Sequence, residues 1–137
     1  MKYIISFCTV ILFIYSCTTS KDTHIHINYE NDNNIFGRKF KLINMYANMN
    51  ITIQFEENTI FGSSNIGNYT SSYTADGDIF NIISISSKRN SSACREESNA
   101  ENNYFSMLKN ATSYEIKGKY LIIYTLLSSE NLVFEEI

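Results

Sequence analysis

The chain has no proline and no tryptophan, and only two histidines and three cysteines among its 137 residues. Each scarcity excludes something. Both histidines, His24 and His26, precede the regular part of the sequence. A Ser-His or Cys-His catalytic pair in the body would have to borrow one of them. Cys8 and Cys17 lie near the start and only Cys94 lies in the body, so a disulfide framework is excluded for a chain modified at Cys17. No basic stripe interrupts a net charge of −3, so nucleic acid has no electrostatic footprint here. There is no Gly-rich phosphate loop, no Gly-x-Ser-x-Gly elbow, no Cys-x-x-Cys and no His-Glu-x-x-His. These absences read against an enzyme, and no cofactor or metal site is expected.

Long apolar runs are also missing, with one exception. Tyr3 to Tyr15 is uncharged and mostly apolar, after a single Lys2. As a helix it reaches only about 20 Å. A bilayer core is about 30 Å thick, so the run suits a secretory signal better than a transmembrane span. It ends on Ile14-Tyr15-Ser16-Cys17. An aliphatic residue at −3 and a small one at −1 before a cysteine make a lipobox, from which Tyr15 at −2 departs. The thiol of Cys17 takes a diacylglyceryl group, and the small Ser16 gives the peptidase access. The expectation is a lipoprotein signal over 1–16, with Cys17 as the lipidated N-terminus and membrane anchor. More than one acyl chain is needed for stable anchoring. The alternative is an ordinary signal cut near Ser20.

Residues 18–34 are polar and read as a flexible tether from that anchor. His24 and His26, two apart, would share one side of a strand, but no cysteine or carboxylate cluster joins them as a metal site. Residues 35–137 form the single domain that such a length supports.

In this domain, 35–46 alternates at Phe40, Leu42, Asn44 and Tyr46. Ile51, Ile53 and Phe55 give a half-buried strand, and Tyr69, Ser71 and Tyr73 share one face of another. Ala75-Asp76-Gly77-Asp78 is a hairpin signal before 79–88. Strands follow at 113–116, 119–127 and 132–137. Between them, Ser98 with Glu101 reads as a capping box, and Tyr104, Phe105, Leu108 and Ala111 form a helical face over 98–111. The fold class is α+β, mainly β: one antiparallel sheet, curled or closed into a small barrel, with one covering helix. The acidic pairs 56–57, 96–97 and 135–136 read as solvated charge, since neighbours on a strand point to opposite faces. Cys94 is a buried small residue or a free thiol, and free cysteine is most often buried.

This order of elements resembles the META domain, the HslJ-like family of small bacterial envelope proteins. Gly37 with Phe40-Lys41-Leu42 sits where the family has Gly and Trp-x-Leu. Ile51–Phe55, Gly62–Tyr73, Ala93-Cys94, Tyr114-Glu115-Ile116 with Gly118, and Leu132-Val133-Phe134 match in order. The family's Gly-Cys-Asn falls on Asn65-Ile66-Gly67, so Cys94 lacks the partner that a relative would offer. Asn68, Tyr69 and Tyr73 remain as a surface or packing motif, an exposed polar turn followed by inward rings. The resemblance implies a β-rich domain with envelope or stress-tolerance roles. The expected function is a non-enzymatic envelope lipoprotein outside the cytoplasm, joined to a membrane through Cys17 and meeting an envelope protein partner. The alternative is a carrier holding a small apolar ligand in a cavity of the curled sheet.

Overall fold

A computed structural model describes residues 34–126 and 129–137. The signal, Cys17 and the tether histidines lie outside them.

Eight antiparallel strands close into a barrel in chain order. They are β1 (Lys39–Leu42), β2 (Thr52–Phe55), β3 (Thr59–Ser64), β4 (Gly67–Asp76), β5 (Ile79–Arg89), β6 (Ala111–Lys117), β7 (Tyr120–Thr125) and β8 (Leu132–Glu136). One helix, α1 (Arg95–Lys109), stands between β5 and β6. Closure is made by β1 against β8, with Lys41 opposite Glu135. The expected curled or closed sheet with one helix is the fold seen.

Alternation explains the strands. Ile51, Ile53 and Phe55 are buried while Thr52 and Gln54 are half-buried on the other face. Tight turns are set by Gly77 and Gly118, both at φ 61°, where a residue lacking Cβ is unstrained. The interior is filled by rings. Phe55 meets Phe40, Tyr73 and Phe80 edge-on at centroid distances of 6.2, 5.5 and 6.1 Å. Tyr114 extends the chain of contacts through Phe80 at 5.9 Å. Such pairs add about 0.5–1.5 kcal/mol each beyond area burial.

Two expectations need correction. The first strand stops at Leu42, because Asn44 turns outward. Its amide donates to the Asn131 carbonyl and its side-chain oxygen accepts from Val133 N–H, which fixes the entry to β8. Tyr46 and Asn50 then flank a 3-10 turn (Ala47–Met49), both at positive φ. Strand β5 carries an irregularity that the sequence reading left open. Ser72 pairs with Ser84 but Tyr73 pairs with Ile82, so Ile83 is an extra residue. This bulge reverses the parity of the strand. Phe80 and Ile82 face inward before it and Ile85 after it, while Ile83 is left exposed. The second expectation to correct is the helix. It begins at Arg95, with Cys94 as N-cap and Glu97 completing the capping box, and not at Ser98. Ala111 opens β6.

The seam between β5 and β6 is thin. Ile79 opposite Ser113 is the one paired position, joined by Tyr114 N–H to the Asp78 carbonyl at 2.9 Å. Beyond it, α1 lies alongside β5.

Candidate functional site

The helix lies against the barrel through a polar cluster. Tyr104 and Leu108 bury the apolar stripe of α1, and Glu101, one turn earlier, is carried inward with them. Glu101 is 1 % exposed. A carboxylate there needs partners, and it has two. Arg89 Nε at the end of β5 pairs with one oxygen, and Ser64 Oγ donates to the other at 2.7 Å. A second guanidinium nitrogen of Arg89 donates to Asn102. Beside this pair, Tyr69 of β4 donates its single hydroxyl hydrogen to the Thr52 carbonyl at 2.9 Å. Tyr104 therefore donates to the Tyr69 oxygen, 2.6 Å away. Burial, then the neighbouring Tyr104 and Glu101, hold the Tyr69 phenol well above its ordinary range. Burial does the same to Tyr104. Neither phenol is a base at neutral pH, and their hydroxyls are spent on the Thr52 carbonyl and on each other. The cluster joins helix to barrel.

The residues singled out in the sequence fall in separate places. Tyr69 and Tyr73 are buried on one face of β4, as their spacing predicts. Tyr73 donates to the Glu56 carbonyl at 2.8 Å. Asn68 is exposed but lies within β4, between Ser63 and Lys88, and not in a turn. The turn is at Asn65-Ile66, where Ile66 is buried. Cys94 is exposed, which overturns the buried reading. The earlier start of α1 puts it at the rim, where its Sγ accepts from Glu97 N–H at 3.5 Å. A cleft of about 330 Å³ adjoins it, lined by Tyr46, Met49, Cys94 and Ala100 among others. Among the described residues no group of three or more His, Cys, Asp or Glu gathers as a metal site.

Sulfur is a weak acceptor, whereas serine is among the preferred N-caps. Cys94→Ser is expected to raise stability by about 0.5 kcal/mol and the melting temperature by about 2–4 °C. Calorimetry checks this, and a lowered melting temperature would refute the capping role. The native thiol is expected to react with a colorimetric thiol reagent without denaturant.

A family model, the META domain, matches residues 33–136. The chain belongs to the META domain family. Solved structures share the fold. A protein from Burkholderia xenovorans, solved by NMR, superposes with a TM-score of 0.60 at 14 % identity, covering 75 % of this chain and 83 % of that one. A DUF4847 family protein from Bacteroides vulgatus gives a TM-score of 0.59 at 13 % identity, covering 76 % of this chain and 95 % of that one. No curated protein matches. Within this META domain, Glu101 and Arg89 are the residues sequence reading did not join. They are 12 positions apart, on a helix and a strand, and no local spacing links them.

Proposed function

We propose that this META protein is an envelope lipoprotein, anchored to a membrane through Cys17, whose domain acts outside the cytoplasm as a non-enzymatic interaction or stress-tolerance module. The observation that carries the choice of binding over carriage is the filled interior. Phe40, Phe55, Tyr69, Phe80, Tyr104 and Phe134 are each 2 % exposed or less, with Phe55 packed on Phe40 and Phe80, and Tyr104 on Tyr69 and Phe134. An apolar-ligand carrier needs that volume empty. Recognition is left to the outer surface, where Phe36, Phe61, Ile79 and Ile83 are about half exposed or more. The lack of histidine between 35 and 137 and the buried, fully bonded phenols favour binding over catalysis.

The lipobox supplies the anchor. Cys17→Ser is expected to move the protein from the membrane to the soluble fraction and to leave it without a diacylglyceryl group. Fractionation with intact mass spectrometry reads both at once. A variant that stays in the membrane at the unchanged native mass would end the lipoprotein reading.

A further inference from the structure

The outer wall of the barrel gathers three lysines that the sequence keeps apart. Across β1 to β5, Lys41, Thr52, Ser63, Asn68 and Lys88 are successive register partners and form one row. Lys39, Gln54, Phe61, Thr70 and Ser86 form a second row in the same way. The residues between the rows, Phe40, Ile53 and Tyr69 among them, are buried, so both rows face outward. The two rows contain no carboxylate. Arg38, Arg89, Lys117 and Lys119 each pair with a glutamate, whereas Lys39, Lys41 and Lys88 pair with none among the described residues. The carboxylates at the flanks are otherwise engaged. Glu135, opposite Lys41, holds Lys119 at 2.5 Å, and Glu56 accepts from the Gln54 amide at 3.2 Å.

An apolar ring stands in the middle of these charges. Phe61 is third of five in its row and 48 % exposed. Beside it lies a cleft of about 300 Å³, lined by Lys39, Gln54, Asn68 and Thr70 among others. Lys41 and Lys88 stand at the two ends of their row, about 19 Å apart along the wall at ~4.8 Å per strand. A barrel wall is convex, so a flat partner meets the middle of the rows first, where Phe61 projects. A ring at the point of contact with lysines around it has the chemistry of an interfacial anchor. The ring enters the headgroup boundary, while the lysine stems follow it and leave their ammonium groups among the phosphates. Each lysine close to an anionic leaflet strengthens attachment about fivefold. The point of entry also fits. Gly37 N–H donates to the Phe55 carbonyl at 2.8 Å, and Lys39 follows two residues later, so the chain comes into the domain beside this face.

We propose that the outer face of β1 to β5 docks the domain on an anionic phospholipid surface, with Phe61 among the headgroups and Lys39, Lys41 and Lys88 on their phosphates. The proposal rests on the reading that Cys17 ties the chain to a bilayer, and deepens it. The lipid limits how far the domain travels, and the face sets which way it lies. Docking of a tethered domain is intramolecular, so weak contacts suffice to hold it down. The wall around β7, across the closed barrel from β3, is then turned away from the bilayer and left to meet a protein partner.

The chain has no tryptophan, so Phe61→Trp places a single fluorescent reporter on the face. The mature protein carrying it is mixed with vesicles of pure phosphatidylcholine and of equimolar phosphatidylcholine and phosphatidylglycerol, with and without brominated acyl chains. With anionic vesicles the emission is expected to move to shorter wavelength and to be quenched by bromine. With neutral vesicles it is expected to stay as in solution. Salt at about 1 M cuts the screening length to about 3 Å and is expected to reverse the shift. Adding Lys39→Gln, Lys41→Gln and Lys88→Gln is expected to lower the ratio of docked to free domain at least about tenfold, at an unchanged melting temperature. Tyr124→Trp, on β7, is expected to stay unquenched in every vesicle. Emission at position 61 that ignores anionic lipid overturns the proposal. So does an equal shift with neutral vesicles, a shift that survives in the folded lysine variant, or quenching no greater than at position 124. The comparisons of salt and of vesicle charge decide the matter even where the lysine variant does not fold. The reading at Cys17 fails separately, since a chain that does not sediment with neutral vesicles lacks the anchor whatever its emission does on anionic ones.

Discussion

Arg89→Met is expected to lower stability by about 3 kcal/mol and the melting temperature by at least about 12 °C. The substitution keeps the length of the stem and removes the cation. Glu101 is then left 1 % exposed with a single partner, the Ser64 hydroxyl. Breaking a buried pair from one side generally costs about 3–5 kcal/mol, because an uncompensated charge stays behind. The lower end applies here. The Arg89 side chain is 33 % exposed, so part of its attraction to Glu101 is screened by water. The double variant Arg89→Met with Glu101→Leu is expected to recover most of the loss, since apolar replacements of both partners are often neutral or better. Denaturant unfolding of the two variants decides the matter. A single variant as stable as the native protein would show that the pair contributes nothing, and a double variant no better than the single would show that Glu101 is not the cause.

The second large effect is expected at Gly62, and its sign runs against habit. Alanine for glycine inside a strand usually stabilises by about 0.5–1 kcal/mol, through reduced backbone entropy. Here a Cβ would lie 2.1 Å from Cζ of Tyr69 and 2.3 Å from its hydroxyl oxygen. The ring cannot swing aside cheaply. Tyr69 is opposite Gly62 in the β3–β4 register, its hydroxyl is bonded to Thr52 and Tyr104, and Phe105 packs against it at 5.1 Å. Gly62→Ala is therefore expected to destabilise by about 3 kcal/mol, the upper part of the usual overpacking range. Combining it with Tyr69→Leu removes the obstacle, and the two losses are expected to fall short of additive by about 1 kcal/mol or more. Thermal unfolding checks both. A Gly62→Ala protein within about 0.5 kcal/mol of native would sink the account.

These two sites also show what could be read before the fold was seen. The strand at 51–55 was legible because both its faces obey one period, apolar inward and polar outward. Tyr69 and Tyr73 were legible as inward rings for the same reason. The bulge at Ile83 was not, because either parity of 79–88 offers apolar residues and only the pairing with β4 selects between them. The helix start was misplaced because two boxes overlap. Ser98 with Glu101 and Cys94 with Glu97 have equal spacing, and serine is the better intrinsic cap. Tertiary packing chose the weaker one. Glu101 is drawn inward to Arg89 and Ser64 and is not free to turn back to the Ser98 backbone. The exposure of Cys94 follows from that choice. The outline of the family was legible from the order of its segments, whereas the ion pair needed two distant elements to meet.

Closure through β1 has a mechanical consequence. This strand is the first of the domain, yet it is clamped on both flanks, with Lys39 to Lys41 paired to β2 and Phe40 to Leu42 paired to β8. The last residue adds a bond, Ile137 N–H to the Lys39 carbonyl at 3.0 Å. A pull applied at Asn34 along the strand cannot peel one ladder rung at a time. It must shear two sets of hydrogen bonds together while dragging Phe40 out of the ring-filled interior. The barrel is thus built to bear load at the very end from which a tether would hold it.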